Sequence, residues 1–232
     1  MKTQLISTMK TALLASAMLL FAAAFAALAG KGNNGNPRIL PPQSHSHGKT
    51  YGEWAAALLQ WASSIPADTN PFNDTTGVNA AIGQSGSVWF LAGAFTSTTV
   101  TRSVTIPSGT ALFIPLVGTV WVTLPTDPPM TIQEIRDLLT FLNSGISDVT
   151  CEVDGVPVKS PLNYVEQSPV FSVTLPANNL LGVDAGTYSP CVDEGYYLML
   201  APLSKGEHTI HFTSNHVLFE IVVDITYHIT VR

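Results

Sequence analysis

Apolar residues recur along the chain in two periods, and the periods divide it into helices and strands. Tyr51, Trp54, Ala55, Leu58, Trp61 and Ala62 fall at three- and four-residue steps, the spacing of one helix face. Thr50 and Glu53 stand in front of them with the spacing of a capping box, and Pro66 closes the segment. The same grammar returns at Thr131 and Glu134, followed by Ile132, Ile135, Leu138, Leu139 and Leu142, with Gly145 where a C-terminal glycine belongs. Helices are therefore expected near residues 51–63 and 132–143.

Nearly everything else reads as strand. Ser87 to Leu91, Thr98 to Ile106, Thr110 to Val117, Val149 to Val153, Val156 to Val158, Val170 to Leu175, Gly195 to Leu200 and Glu207 to Phe212 read as strands. Asp154-Gly155 between two of them is a strong short-hairpin signal. The longest alternation is the last, where Phe219, Ile221, Val223, Ile225, Tyr227, Ile229 and Val231 share one parity. About eight to ten strands joined by turns predict a mainly β protein. The expected architecture is a two-sheet antiparallel sandwich, jelly-roll-like or immunoglobulin-like, with two packed α-helices.

The N-terminus follows neither period. Lys2 and Lys10 precede an uncharged apolar run from Thr11 to Gly30, which ends in Ala27-Leu28-Ala29. Small residues at Ala27 and Ala29 suit signal-peptidase cleavage before Gly30, so residues 1–29 are expected to be a signal peptide. A retained membrane anchor is the competing reading of the same run. Residues 30–49, rich in Gly, Asn and Pro, read as a flexible lead-in, and residues 50–232 as one domain. Export gives the two cysteines a meaning. Cys151 and Cys191 lack metal-ligand spacing, and in an oxidising compartment a disulfide is the default, stabilising by about 4 kcal/mol.

Charge narrows the function classes. The chain of 232 residues is 46% hydrophobic and 11% charged, with ten Lys plus Arg and a net charge of −6. It has no basic footprint for nucleic acid, and no membrane association is expected once the signal is removed.

Few residues offer chemistry. His45 and His47 are candidate metal ligands, but two imidazoles in a flexible segment lack a third ligand. His208 and His211 project to opposite faces of a strand and need other histidines, His216 or His228, to form a site. No cofactor is implied. Asp74, Asp184, Asp193 and Glu194 fall in expected loops, where a pair of carboxylates at hydrolase spacing could meet. Gly83-Gln84-Ser85-Gly86 precedes Trp89, a place where backbone approaches a ligand and the Gln amide orients it. It also reads as a tight turn into a core strand, and it does not match a nucleophile elbow. Asp74, Gln84, Ser85 and Trp89 are thus the candidate ligand contacts. Asn73-Asp74-Thr75 fits an N-glycosylation acceptor, and Trp54 and Trp61 read either as core or as a sugar platform.

Lys49-Thr50-Tyr51-Gly52-Glu53-Trp54, Gln60-Trp61, Ser64-Ile65-Pro66, Asn70-Pro71 and Gly83-Gln84-Ser85-Gly86 with Val88-Trp89-Phe90-Leu91 carry a resemblance. Together with Gly195-Tyr196-Tyr197, Pro202-Leu203-Ser204 and Gly206-Glu207-His208-Thr209-Ile210-His211-Phe212, they resemble a family of uncharacterised secreted bacterial β-rich proteins. The resemblance covers most of the chain after residue 48. It implies an exported bacterial β domain and no particular activity. The C-terminal strands are also similar to immunoglobulin-like extracellular modules, over a shorter stretch.

These features point to a secreted non-catalytic β-sandwich that binds a ligand or partner, a glycan or another surface protein, at the cell surface or outside the cell. A secreted hydrolase using loop carboxylates is the alternative. A matrix or filament subunit, pairing its long C-terminal strand between molecules, is the second.

Overall fold

The computed structural model describes residues 37–232. The expected signal segment, its expected cleavage site and residues 30–36 lie outside the described residues. Both capping boxes form. Thr50 Oγ1 accepts from the Glu53 amide at 3.1 Å and Glu53 Oε2 accepts from the Thr50 amide at 2.7 Å, opening helix α1, Tyr51–Ser64. Thr131 and Glu134 do the same for helix α2, Ile132–Asn143. Gly145 follows α2 without a left-handed φ. Its glycine is required by packing instead, because a Cβ there would stand 2.5 Å from the Leu218 side chain.

The strands are β1 (Ile39–Leu40), β2 (Val88–Phe90), β3 (Thr98–Ile106), β4 (Ala111–Val122), β5 (Ile146–Val153), β6 (Val156–Pro157), β7 (Val165–Gln167), β8 (Phe171–Leu175), β9 (Gly186–Leu200), β10 (Gly206–His216) and β11 (Ile221–Val231). They form two sheets. One has the order β1-β9-β4-β2, and β7 and β8 share the β1 edge of β9. The other runs β3-β11-β10-β5-β6. The fold is the expected mainly β sandwich with two helices. Its sheets are mixed rather than wholly antiparallel, because β3 runs parallel to β11 and β2 parallel to β4.

Period two explains the layers. On β9, Leu198 and Leu200 face the second sheet and join Ile114, Phe212 and Ile225 in the inter-sheet core. Tyr197 and Met199 face the other way, onto Tyr51, Ala55 and Leu58 of α1. The chain therefore stacks helix on sheet on sheet, with two apolar layers. Strands β4 and β9 are the longest in the first sheet, and α2 covers their far end, where Ile135 and Leu139 pack on Val192 and Trp121.

Three expectations change. The lead-in was expected to lack structure up to residue 49, yet Ile39 and Leu40 pair with Leu200 and Met199, and Tyr51 Oη donates to the Leu40 carbonyl at 2.6 Å. The apolar pair completes the end of β9, and burial there outweighs the surrounding glycine and proline. Cys151 and Cys191 are free thiols, not a disulfide. Cys151 points into the inter-sheet core and Cys191 into the α1 layer, so the first sheet's strands separate the two side chains. The C-terminal strand β11 lies between β10 and β3 with both edges paired, leaving none for a second molecule.

Candidate functional site

The residues singled out from sequence mostly serve the backbone. Asp74 is buried, and its carboxylate accepts from the Thr76 amide and hydroxyl and the Asn79 amide, each at 2.8 Å. Burial pushes this carboxyl up, but the hydrogen bonds from Asn79, Thr76 and Gly77 outweigh it and hold it below the ordinary aspartate range. The turn it shapes covers the β3 edge, where Ser103 donates its amide to the Thr76 carbonyl at 2.8 Å. Gln84 donates to the Ala80 and Phe90 carbonyls and accepts from the Phe90 amide, so its amide is fully used. Ser85 is exposed, and Trp89 is buried in the inter-sheet core. These four do not assemble a ligand site.

Trp61 is buried with Nε1 donating to Ile82, and Trp54 donates to Ser46. Neither forms an open sugar platform with the acids. Asp184 is exposed, and Asp193 and Glu194 are successive residues of β9, on opposite faces, not loop residues. The histidines disperse as well. His47 reaches Ser87, His208 reaches Asp154 at 2.7 Å, and His211 reaches Asp224 at 2.8 Å. Among the described residues no group of three or more His, Cys, Asp or Glu is placed to hold a metal ion, so His45 and His47 gain no third ligand.

A cavity of about 260 Å³ lies elsewhere, and the topology creates it. Strand β2 covers only Ala111 to Phe113 of β4. Beyond that point the outer edge of β4 has no strand partner among the described residues, and a bulge between Pro115 and Val117 bends it. The cavity runs along this open edge. It is lined by Leu58, Phe72, Phe95 and Val117, by His216 at the end of β10, and by Phe219 of the β10–β11 turn. Phe95 and Phe219 are partly exposed, at 46% and 44%.

Arg102 holds part of the wall. It is the lone charge on the inward parity of β3 and is 2% exposed. Its guanidinium donates to the carbonyls of Asp74 (2.7 Å), Ala92 (2.6 Å) and Gly93 (3.1 Å), and to Tyr227 Oη (2.8 Å). The segments carrying Phe72 and Gly93 are thereby tied to the sandwich.

Two polar side chains line the cavity without adequate partners. His216, 3% exposed, finds no hydrogen bond for either ring nitrogen, and its ring packs on Phe219 with centroids 4.3 Å apart. Burial holds its imidazole below the ordinary histidine range, favouring the neutral form. Asp193, 2% exposed, receives one side-chain donor, the Tyr197 hydroxyl, at 2.8 Å from either oxygen. Burial pushes its carboxyl up to about 7; the Tyr197 hydrogen bond opposes that shift and the charge of Glu194 adds to it. Glycine makes the contact between Asp193 and Tyr197 possible. A Cβ at Gly195 would stand 3.0 Å from the Tyr197 ring and 2.9 Å from Gly118 Cα, so the phenol lies across a bare backbone to reach Asp193.

The sequence pattern puts Asp193 in a loop and singles out neither Arg102 nor Tyr197. Signals for them were present. Asp193, Gly195 and Tyr197 share one parity, and Arg102 interrupts the apolar parity of Val100, Val104 and Ile106. His216 likewise continues the parity of Ile210 and Phe212.

No family model matches the chain, and no curated protein matches it. Among solved structures, a chain from the structure of PbICP-C in complex with falcipain-2 aligns with 63% of this chain and 100% of its own length, at 11% identity and a TM-score of 0.24. Nothing is carried over from a likeness at that level.

Proposed function

We propose that the chain is an exported, non-catalytic β-sandwich that binds a ligand outside the cell, with the cavity at the open edge of β4 as its site. The observation that carries this reading is His216, buried on the cavity wall with both ring nitrogens unpartnered. A buried polar group without a partner is destabilising by about 1–3 kcal/mol, and a ligand that supplies the partner recovers that free energy. The mostly apolar wall, interrupted by a few polar groups, is the usual chemistry of a small-molecule pocket. Export is supported by the uncharged run from Thr11 to Gly30 behind Lys2 and Lys10, and by the resemblance to secreted bacterial β-rich proteins.

Ligand-observed NMR of the full chain against a library of small aromatic and aliphatic fragments tests the site. Val117→Trp fills the cavity, so the fragments that bind the native protein are expected to be lost in this variant while its circular dichroism is unchanged. Fragments that bind both proteins equally would place the site elsewhere. For export, mass spectrometry of protein recovered outside the cytoplasm is expected to show Gly30 as its first residue. Recovery only from membranes with the N-terminus intact would favour the anchor instead.

A further inference from the structure

The polar groups of the cavity also define what kind of ligand it takes. Asp193 is a carboxyl group buried in an apolar setting with one hydroxyl donor for two oxygens. No lysine, arginine or histidine lies within ion-pair distance of it among the described residues; the ion pairs there are His208 with Asp154 and His211 with Asp224. Arg102 cannot serve, because its donors are spent on carbonyls and on Tyr227. On the same side of the first sheet as Asp193, Phe72 lines the cavity and stacks on Phe95 with centroids 4.8 Å apart.

An ammonium group fits this set better than a hydroxyl or a carboxylate. It carries the charge that Asp193 lacks a partner for, and its N–H donors match the two oxygens of the carboxylate. Aromatic faces attract a cation and pack against an aryl group alike. An anion would meet the Asp193 carboxylate with no cation to offset it. Size sets the rest. A cavity of about 150 Å³ is known to bind benzene, so about 260 Å³ accommodates one ring and a short chain. The net charge of −6 steers cations toward the molecule.

We propose that the cavity binds a primary arylalkylamine of single-ring size, its ammonium group on Asp193 and its ring against Phe72 and Phe95. This rests on the cavity being the ligand site.

The test is isothermal titration of the full chain with three ligands of one shape: phenethylamine, the neutral 2-phenylethanol and the anionic 3-phenylpropanoate. At pH 8 the amine is expected to bind at least about tenfold more tightly than the alcohol, and the acid least of all. Because the Asp193 carboxyl is held near 7, with Tyr197 and Glu194 the titratable groups acting on it, the advantage of the amine shrinks as the pH is lowered to 5.5. Asp193→Asn is expected to abolish the preference for the amine while 2-phenylethanol still binds. Should that variant not fold, the pH profile of the native protein decides instead. Alcohol or acid binding as tightly as the amine at pH 8 overturns the amine assignment but leaves the cavity as a site. If none of the three binds, both the assignment and the cavity reading fall.

Discussion

Asp193 and Glu194 are adjacent on β9 and carry the same chemistry, yet they occupy opposite environments. Glu194 faces α2, where its carboxylate accepts from Thr140 Oγ1 at 2.7 Å, from Asn143 Nδ2 at 3.2 Å and from Gln167 Nε2. Asp193 faces the cavity with Tyr197 alone. Strand alternation sends one carboxylate to a helix that surrounds it with donors and the other to an apolar hollow that withholds them. Burial is similar for both, 2% and 5% exposed, so burial alone does not distinguish a structural acid from one available to a ligand. The number of donors does.

The difference can be broken from several sides, and the largest effect is expected at the wall rather than at either acid. Arg102→Met leaves the carbonyls of Asp74, Ala92 and Gly93 buried without their donor. We expect a loss of about 4 kcal/mol in urea unfolding, with fragment binding at the cavity lost where the variant still folds. A loss below about 1 kcal/mol would show that Arg102 does not hold the wall.

Substituting the acids is expected to shift stability in opposite directions. The folded carboxyl of Asp193 is raised to about 7, well above its unfolded value, so the folded state holds the extra proton between about pH 4 and 7. Its contribution is complete below about pH 4 and is lost as the pH rises through 7. Asp193→Asn should therefore stabilise the protein by about 3 kcal/mol at pH 8 and flatten its stability between pH 5 and 8. Glu194→Gln exchanges charge-assisted hydrogen bonds for neutral ones and should cost about 2 kcal/mol at the same pH. Thermal unfolding of both variants across that range measures the contrast. Shifts of equal sign would mean that the two sides of β9 do not differ as described.

The smallest effect concerns the thiols. Burial pushes Cys151 up to about 12 and raises Cys191 as well, so both are expected to resist alkylation in the native protein. After unfolding without reductant, mass spectrometry should find both modified. A mass two hydrogens lighter, with neither modified, would restore the disulfide.

Much of the framework was legible in the chain. Thr50 with Glu53 and Thr131 with Glu134 marked the helix starts because a capping box is a local contact between a side chain and its own turn. Asp154-Gly155 marked its hairpin because both residues take positive φ, 52° and 72°. The inward parity of Ile221 to Val231 was readable for the same local reason. Pro190 and the consecutive acids obscure the start of β9, since proline is rare inside strands, and the pattern there reads as a loop. Gln84 and Asp74 looked like ligand contacts because side-chain amides and carboxylates that bind ligands also bind backbone. Sequence does not say which will be nearer.

The sequence by itself therefore determined the elements, their faces and the two-sheet class, because periodicity, caps and turns act over a few residues. The tertiary structure alone decided which buried polar groups find partners. Asp193 and His216 meet the same cavity only because β2 ends early, β4 bulges at Pro115, and the β10–β11 turn closes over the exposed edge. Those are contacts between segments distant in the chain. They depend on register and layer order, which no local pattern carries.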